Sequence, residues 1–460
     1  MNQNLTIFSI KNSRWIAAWM RKFCNATTMK SANMTKCKGA GTSLIMHMLL
    51  SLPFTSLQVW QMSGQNDQRP CRDTFYRFLS QTRYNWRRLL WRVSQTMITE
   101  LNRLTGPRTD RVLVIDDSPY KRDRSKAVEY LGRQYDHSSG RFYRGFRLLA
   151  AGWSDGHSFV PVAMELLTNA DRDKRIGPDP QIDRRTNAGK RSRAACRKAP
   201  ELTRQMIDQC QHDGLPVDYI VFDSWYATPG LLKQASERFA VVCMLKKHPN
   251  QLYRHGKRLY TLTELYQKVL RRATSRKDGP VIGSIRVAML NGPAVRVVFV
   301  RDERDPDKWP RKNRGTDLDI SNERICRIYA KRWAIEVFFK QIKQHLGLFG
   351  EMQLRSYTSC VAFTTIVFLR YMMLCYYQRQ QADQRTIPGL FYAGCQQMQA
   401  VSIQACLQVI LLEVLVRLSR CANHQAFQAA CAICGIVEHF TKKFHDNALT
   451  LKPLTLNCES

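Results

Sequence analysis

Two short apolar runs, each closed by a carboxylate, constrain this chain most. Val112-Leu113-Val114-Ile115 ends on Asp116-Asp117, and Val217 to Phe222 ends on Asp223. The first, short, β-branched and continuously apolar, is expected of a strand covered on both faces, and the second, apolar but for Asp218, reads as another buried strand. Between them, Phe142 to Trp153 and His157 to Leu166 read as strands joined at the turn Ser154-Asp155-Gly156, and Pro200 to His212 reads as a helix. The order strand, hairpin, helix, strand predicts an α/β class with an acid at the tip of its first and last strands.

Charge narrows the partners. The 460 residues carry 71 Lys plus Arg against 37 Asp plus Glu, a net +34. Such an excess repels itself unless a polyanion screens it, and nucleic acid is the first candidate. Hydrophobic residues at 44% exclude a largely disordered chain. Fifteen cysteines scattered from Cys24 to Cys458 lack the spacing of a secreted disulfide framework and predict free thiols in a reducing, cytoplasmic compartment. The longest apolar span, Cys360 to Tyr377, carries Arg370 in its middle and predicts a buried helix with no membrane partner.

Residues 1 to 66 contain no Asp or Glu, which predicts a basic arm lying along DNA. From Thr42 to Leu101 the spacing is helical, with Phe75, Phe78 and Leu79, then Trp86, Leu89, Leu90 and Val93, on the apolar side and Asp73 as a cap. Arg72, Arg77, Arg83, Arg87, Arg88 and Arg92 on the other faces suit a phosphate backbone or a solvated basic face. Residues 171 to 204 form a polar, arginine-dense loop that either tracks DNA or is solvated. Ala240 to Leu245, Val281 to Leu290 and Ala294 to Val300 read as strands, and Asp302 to Gly315 as a charged loop. The divisions that follow are a basic helical DNA-binding region at 1–105, a core at 106–244, a β-rich insertion at 245–315, the rest of the core at 316–375 and a helical region at 376–460.

Ser321 to Leu346 carries the chemistry. At about 100° per residue, Tyr329, Arg332, Glu336 and Lys343 share a stripe about 60° wide. Beside it runs an apolar stripe, Ile328, Ile335, Phe339, Ile342 and Leu346, that would seat the helix on the sheet. Tyr329-x2-Arg332-x3-Glu336-x6-Lys343, with the local string Arg-Trp-Ala-Ile-Glu, resembles the YREK signature of one group of bacterial insertion-sequence transposases. With Asp116 and Asp223 upstream, the acids fall in the order of the DDE transposases, and the likeness spans residues 110 to 375.

That resemblance implies a ribonuclease H-like mixed sheet with helices, a β-rich insertion before the Glu336 helix, and helical N- and C-terminal regions. It implies an enzyme that binds the terminal inverted repeats of its element, cleaves DNA there and joins the ends to target DNA. Cut-and-paste movement through a hairpin at the element's end, a homodimer holding both ends, and association with the bacterial nucleoid come with it. Asp116, Asp223 and Glu336 would hold two Mg2+ ions, or Mn2+ in their place. Two ions can serve both the attacking and the leaving oxygen of a phosphodiester, and carboxylates are hard-oxygen ligands suited to them. Tyr329, Arg332 and Lys343 would grip phosphates near the cleaved end.

Some positions stay open. Asp116 is preferred to Asp117 because it directly ends the apolar run. Trp333 reads as structural. Trp309 could hold an unpaired base or be an ordinary loop aromatic. Cys431 and Cys434 with His439 and His445 could be a zinc set or apolar core cysteines, and the stripe in Val401 to Leu418 could serve dimerisation or packing. Rival readings are a nuclease of the same fold that does not join strands and a catalytically inactive, transposase-derived DNA-binding protein.

Overall fold

The computed structural model describes residues 14–55, 70–136, 139–248, 250–270, 281–301, 311–316, 318–349, 352–380 and 382–398. Trp309, Val401 to Leu418 and the Cys431/Cys434 set with His439 and His445 lie outside the described residues.

One mixed sheet organises the chain. Its strands are β1 (Val112–Lys121), β2 (Gly132–Asp136), β3 (Arg141–Ser154), β4 (Phe159–Leu167), β5 (Tyr219–Phe222), β6 (Ala240–Met244), β7 (Tyr253–His255), β8 (Arg258–Tyr260), β9 (Val281–Met289), β10 (Ala294–Val300) and β11 (Arg311–Gly315). The order is β2-β3-β1-β5-β6-β11-β10-β9-β7-β8, with β4 also paired to β3. Both predicted apolar runs lie in its centre: Val112 to Ile115 pairs in parallel with Tyr219 to Phe222, and all eight residues are buried. The predicted hairpin is β3 and β4, paired antiparallel. The strands of the 245–315 stretch extend this same sheet through β11, which pairs with β6 and β10. The end of the stretch read as the loop Asp302 to Gly315 is thus a strand.

β1 does not stop at the acids. It pairs with β3 from Val112 through Lys121, so Asp116 and Asp117 lie within the strand. Pro119 is accommodated because β5 ends at Phe222 and leaves the other side of β1 without a partner strand there, where a missing N–H costs nothing. Gly145, opposite Lys121, has φ +154°, and a Cβ there would meet the Tyr120 carbonyl oxygen at 2.0 Å.

The helices are α1 (Arg14–Phe23), α2 (Ala26–Ser31), α3 (Thr42–Ser51), α4 (Arg72–Ser80), α5 (Trp86–Asn102), α6 (Asn187–Ala195), α7 (Ala199–His212), α8 (Pro229–Ser236), α9 (Leu262–Leu270), α10 (Asn322–Ala330), α11 (Trp333–Gln344) and α12 (Tyr357–Gln380), followed by helical residues 387–398. α12 is the apolar span expected to be a buried helix. It is the described helix long and apolar enough to cross a membrane, and α3, α4, α5, α11 and β4 enclose it. Its Arg370 is fully buried and donates to the carbonyls of Leu49 in α3 and Leu346 after α11.

Four local expectations change. Residues 14–55 are not an arm: Trp19 and Phe23 are buried, Phe23 packs on Tyr376 at 4.8 Å, and the Tyr377 hydroxyl donates to the Trp15 carbonyl at 2.6 Å. Burying that apolar face outweighs charge repulsion there. Cys71, not Asp73, is the cap of α4, and Asp73 sits in its first turn. The arginine-dense loop contains α6, started by Thr186, whose side chain accepts from the Gly189 N–H at 3.0 Å. Ser321 to Leu346 is two helices that meet at Lys331 and Arg332. The cysteines among the described residues are free thiols.

Candidate active site

Register brings the first two acids together. Ile115 and Phe222 form the last parallel pair, so Asp116 and Asp223 are the next residues on adjacent strands, about 5 Å apart at the backbone. Asp223 leaves the sheet there and begins a short 3-10 turn, Ser224–Tyr226. Alternation along β1 sends Asp116 and Asp117 to opposite faces. Asp117 is held by Arg147, whose Nη2 donates to Oδ1 at 2.7 Å, and by the Tyr226 hydroxyl at 2.6 Å. Asp116 instead meets the residues of the Tyr-Arg-Glu-Lys stripe.

Those residues come in on α10 and α11. α10 packs over β5, β6 and β11, and α11 over β1 and β4. The apolar stripe seats the helices as the pattern predicts: Ile328, Ile335, Phe339, Ile342 and Leu346 are all buried. The junction tightens into i to i−3 bonds, from Lys331 N–H to the Ile328 carbonyl and from Arg332 N–H to the Tyr329 carbonyl. Lys331 pins it, donating its ammonium to the carbonyls of Asp110 and Asp155, while Arg324 bonds the Asp110 carboxylate at 2.7 Å. Nothing in the amphipathic pattern singles out Lys331.

Arg332 is the centre of the cluster. Its Nη1 donates to Asp116 Oδ2 at 2.8 Å, its Nη2 donates to Glu336 Oε1, and Asp223 acts on it electrostatically. Its guanidinium lies 5.8 Å from the Tyr329 ring. Tyr329 is half-buried, and its hydroxyl is enclosed beside the Arg332 guanidinium. Lys343 lies one strand alternation further along the Asp116 face of β1 and donates to Ser118 Oγ at 2.6 Å. Asp116, Asp223, Tyr329, Arg332 and Glu336 therefore share one cluster, with Lys343 beside it.

Burial sets the electrostatics. It pushes Asp116 up to about 7, against the pull of Arg332 and with help from the nearby Asp117 and Asp223. Burial, reinforced by Lys121, pushes Lys343 down to about 8. Among the described residues no three acids, histidines or cysteines form a ready metal cage. The donor set nevertheless fits a hard divalent ion: it is all oxygen, and Asp116 and Glu336 already share a single cation, the Arg332 guanidinium.

Two exposed tryptophans lie next to site residues in sequence. Trp333, read from the sequence as structural, is 65% exposed beside Arg332. Its position one residue from the inward-facing Arg332 turns it outward. Trp225, two residues after Asp223, is 47% exposed, with the Arg147 and Lys246 cations 5.9 and 5.6 Å from its ring. Position relative to Asp223 was the available signal for it.

Residues 44–274 match the family described as DDE superfamily endonuclease, and residues 190–373 match the transposase DDE domain. The two matches together take in both strand acids and the Glu336 helix. No curated protein matches the chain.

Proposed function

This chain belongs to the DDE superfamily endonuclease family, and on that premise we propose that it is a DNA transposase of the YREK group. In this reading it binds the terminal inverted repeats of its own insertion sequence, cleaves at the element's ends and joins the freed 3′ ends to target DNA. Movement is cut-and-paste through an end hairpin, two copies hold the two ends, and the protein works in the cytoplasm on nucleoid DNA. The chain divides as residues 1–105 for DNA binding, 106–244 and 316–375 for the catalytic core, 245–315 for the insertion and 376–460 for a helical region that serves dimerisation.

One observation carries the reading: Arg332 joins Asp116 to Glu336 where the sheet register sets Asp223 beside Asp116. Asp116, Asp223 and Glu336 are the residues that would hold the divalent ions. When bound, two Mg2+ ions, or Mn2+ in their place, activate the attacking oxygen and stabilise the leaving one. The protein's own groups do the positioning. Arg332 offers a planar, bidentate donor to a phosphate that displaces it from the acids, and the Tyr329 hydroxyl beside it offers a further donor. Lys343 adds a point charge along the same face. α11, anchored by its apolar stripe and by Lys331, keeps Glu336 aimed at β1.

The test is purified full-length protein with DNA bearing its element's ends and a target plasmid, in Mg2+ or EDTA, comparing wild type with Glu336→Gln. Metal-dependent cleavage and covalent joining, lost in the variant while end binding stays within about twofold, is the expected result. Cleavage without joining would replace transposition by a nuclease activity. Binding without cleavage by wild type would make this an inactive, DNA-binding descendant.

A further inference from the structure

Along the edge strand β4 runs a cleft of about 530 Å3, between α5 on one side and α6 and α7 on the other. Arg191 of α6 lines it, only 3% exposed, and its Nη1 has no hydrogen-bond partner. Glu165 of β4 is equally buried. One of its oxygens pairs with Arg87 of α5, and the other is unpartnered. Arg88 and Arg92 of α5 and Lys190 of α6 also line the cleft and are exposed. The remaining acid, Asp213, is bound to His212 at 2.8 Å.

The charges do not balance. Five cations face two carboxylates, and a buried guanidinium with an unmade bond costs free energy. Burial and the neighbouring Arg87 lower the proton affinity of Arg191, and Glu165 recovers only part of it. The backbone holds this arrangement in place. α6 is drawn so close at Gly189 that a Cβ there would meet the Asp183 carbonyl oxygen at 2.2 Å, and the Ala188 N–H donates to the Thr82 carbonyl at 3.0 Å, tying α6 to the turn before α5. The missing partner is an acceptor-only anion that several forked donors can share, which is the chemistry of a phosphate oxygen.

We propose that this cleft is a second phosphodiester site, separate from the acid cluster, which takes a backbone phosphate of DNA on Arg191, with Arg88, Arg92 and Lys190 around it. The proposal rests on DNA being the substrate. Glu165 stands opposite Leu149, which stands opposite Asp117, so the cleft lies two strand spacings, about 10 Å, from β1, in register with Asp117 rather than with Asp116. Holding a phosphate there sets the position of the DNA without reading its sequence.

The experiment uses full-length protein and a fluorescent 30-base-pair duplex of arbitrary sequence, titrated over a salt series without divalent metal. The double variant Arg88→Gln, Arg92→Gln should bind more weakly and lower the slope of log affinity against log salt by about 2, close to 0.9 for each phosphate left without its cation. Arg191→Met should act in the same direction, with thermal unfolding confirming that it folds; the exposed double variant carries the test if it does not. Wild-type affinity and slope in the double variant would overturn the site while leaving the transposase reading intact. An equal fall on removing Lys257 and Arg258, exposed at the opposite end of the sheet, would reduce the effect to overall charge and also overturn it. Failure of the wild type to bind any duplex would overturn the site and the DNA reading together.

Discussion

Arg332 holds Asp116 at 2.8 Å and shares its guanidinium with Glu336, so the protein neutralises its own acid cluster with an internal cation. A divalent ion must compete with that guanidinium for the same oxygens. Arg332→Ala should therefore bind Mn2+ more tightly than wild type in the absence of DNA, on the order of tenfold for the loss of a charge-assisted pair. Isothermal titration reads this directly. End cleavage should fall in the same variant, because the phosphate loses its bidentate donor. Unchanged Mn2+ affinity would show that the arginine does not stand in the ion's place.

Burial of Asp116 costs stability at neutral pH. Its folded pKa, raised by burial to about 7 from 3.8, means that the folded state holds the proton more tightly than the unfolded chain. Stability is therefore lost as pH rises from about 4 to about 7, by up to a few kcal/mol. Asp116→Asn should be more stable than wild type at pH 8 in EDTA, with the gain vanishing below about pH 4, while cleavage is abolished. Urea unfolding at the two pH values checks it. Asp117→Asn should behave oppositely, losing stability by roughly 1–3 kcal/mol as Arg147 is left without its carboxylate.

Lys343 is charged only over part of the working range. Burial and Lys121 depress its pKa to about 8, with Asp136 opposing them, so its positive charge is present below about pH 8 and lost above it. Binding of DNA through this ammonium should weaken as pH rises through that value. Lys343→Met should match wild type above about pH 9 and bind end DNA more weakly at pH 7. Lys343→Arg should keep binding flat across the interval, because a guanidinium does not titrate there. A pH series of end-DNA binding for the three proteins distinguishes a charge interaction from a packing role, which the conservative variant would not rescue.

The pairing of Asp116 with Asp223 was legible because two short apolar runs read as buried strands, and parallel neighbours in register bring their last residues together. The seating of Glu336 was legible from the apolar stripe, whose five members are all buried. Other features depend on distant parts of the chain. Lys331 and Arg332 keep right-handed helical dihedrals and include no proline or glycine. The break between α10 and α11 is held instead by carbonyls of Asp110 and Asp155, far away in sequence. The commitment of Asp117 to Arg147 and Tyr226 likewise joins three separate elements. The acid-free N-terminal stretch misled because its charge was visible, while the aromatic partner of Phe23, Tyr376, lies about 350 residues later.

Arg370 links α11, which carries Glu336, to the N-terminal helices. Fully buried in α12, it donates through Nη1 to the Leu346 carbonyl at 2.7 Å, just past the end of α11, and through Nε to the Leu49 carbonyl of α3 at 3.1 Å. Both acceptors are backbone groups that water cannot reach once the arginine is gone, and leaving each unpaired costs about 1–3 kcal/mol. Arg370→Met keeps much of the side-chain volume but removes the donors, so urea unfolding should show a loss of roughly 2–5 kcal/mol. Because Leu346 closes the helix that carries Glu336, the variant should also lose end cleavage at temperatures where it remains folded, whereas duplex binding should change little. A variant as stable as wild type would mean that the carbonyls find other partners and that α11 is held without Arg370.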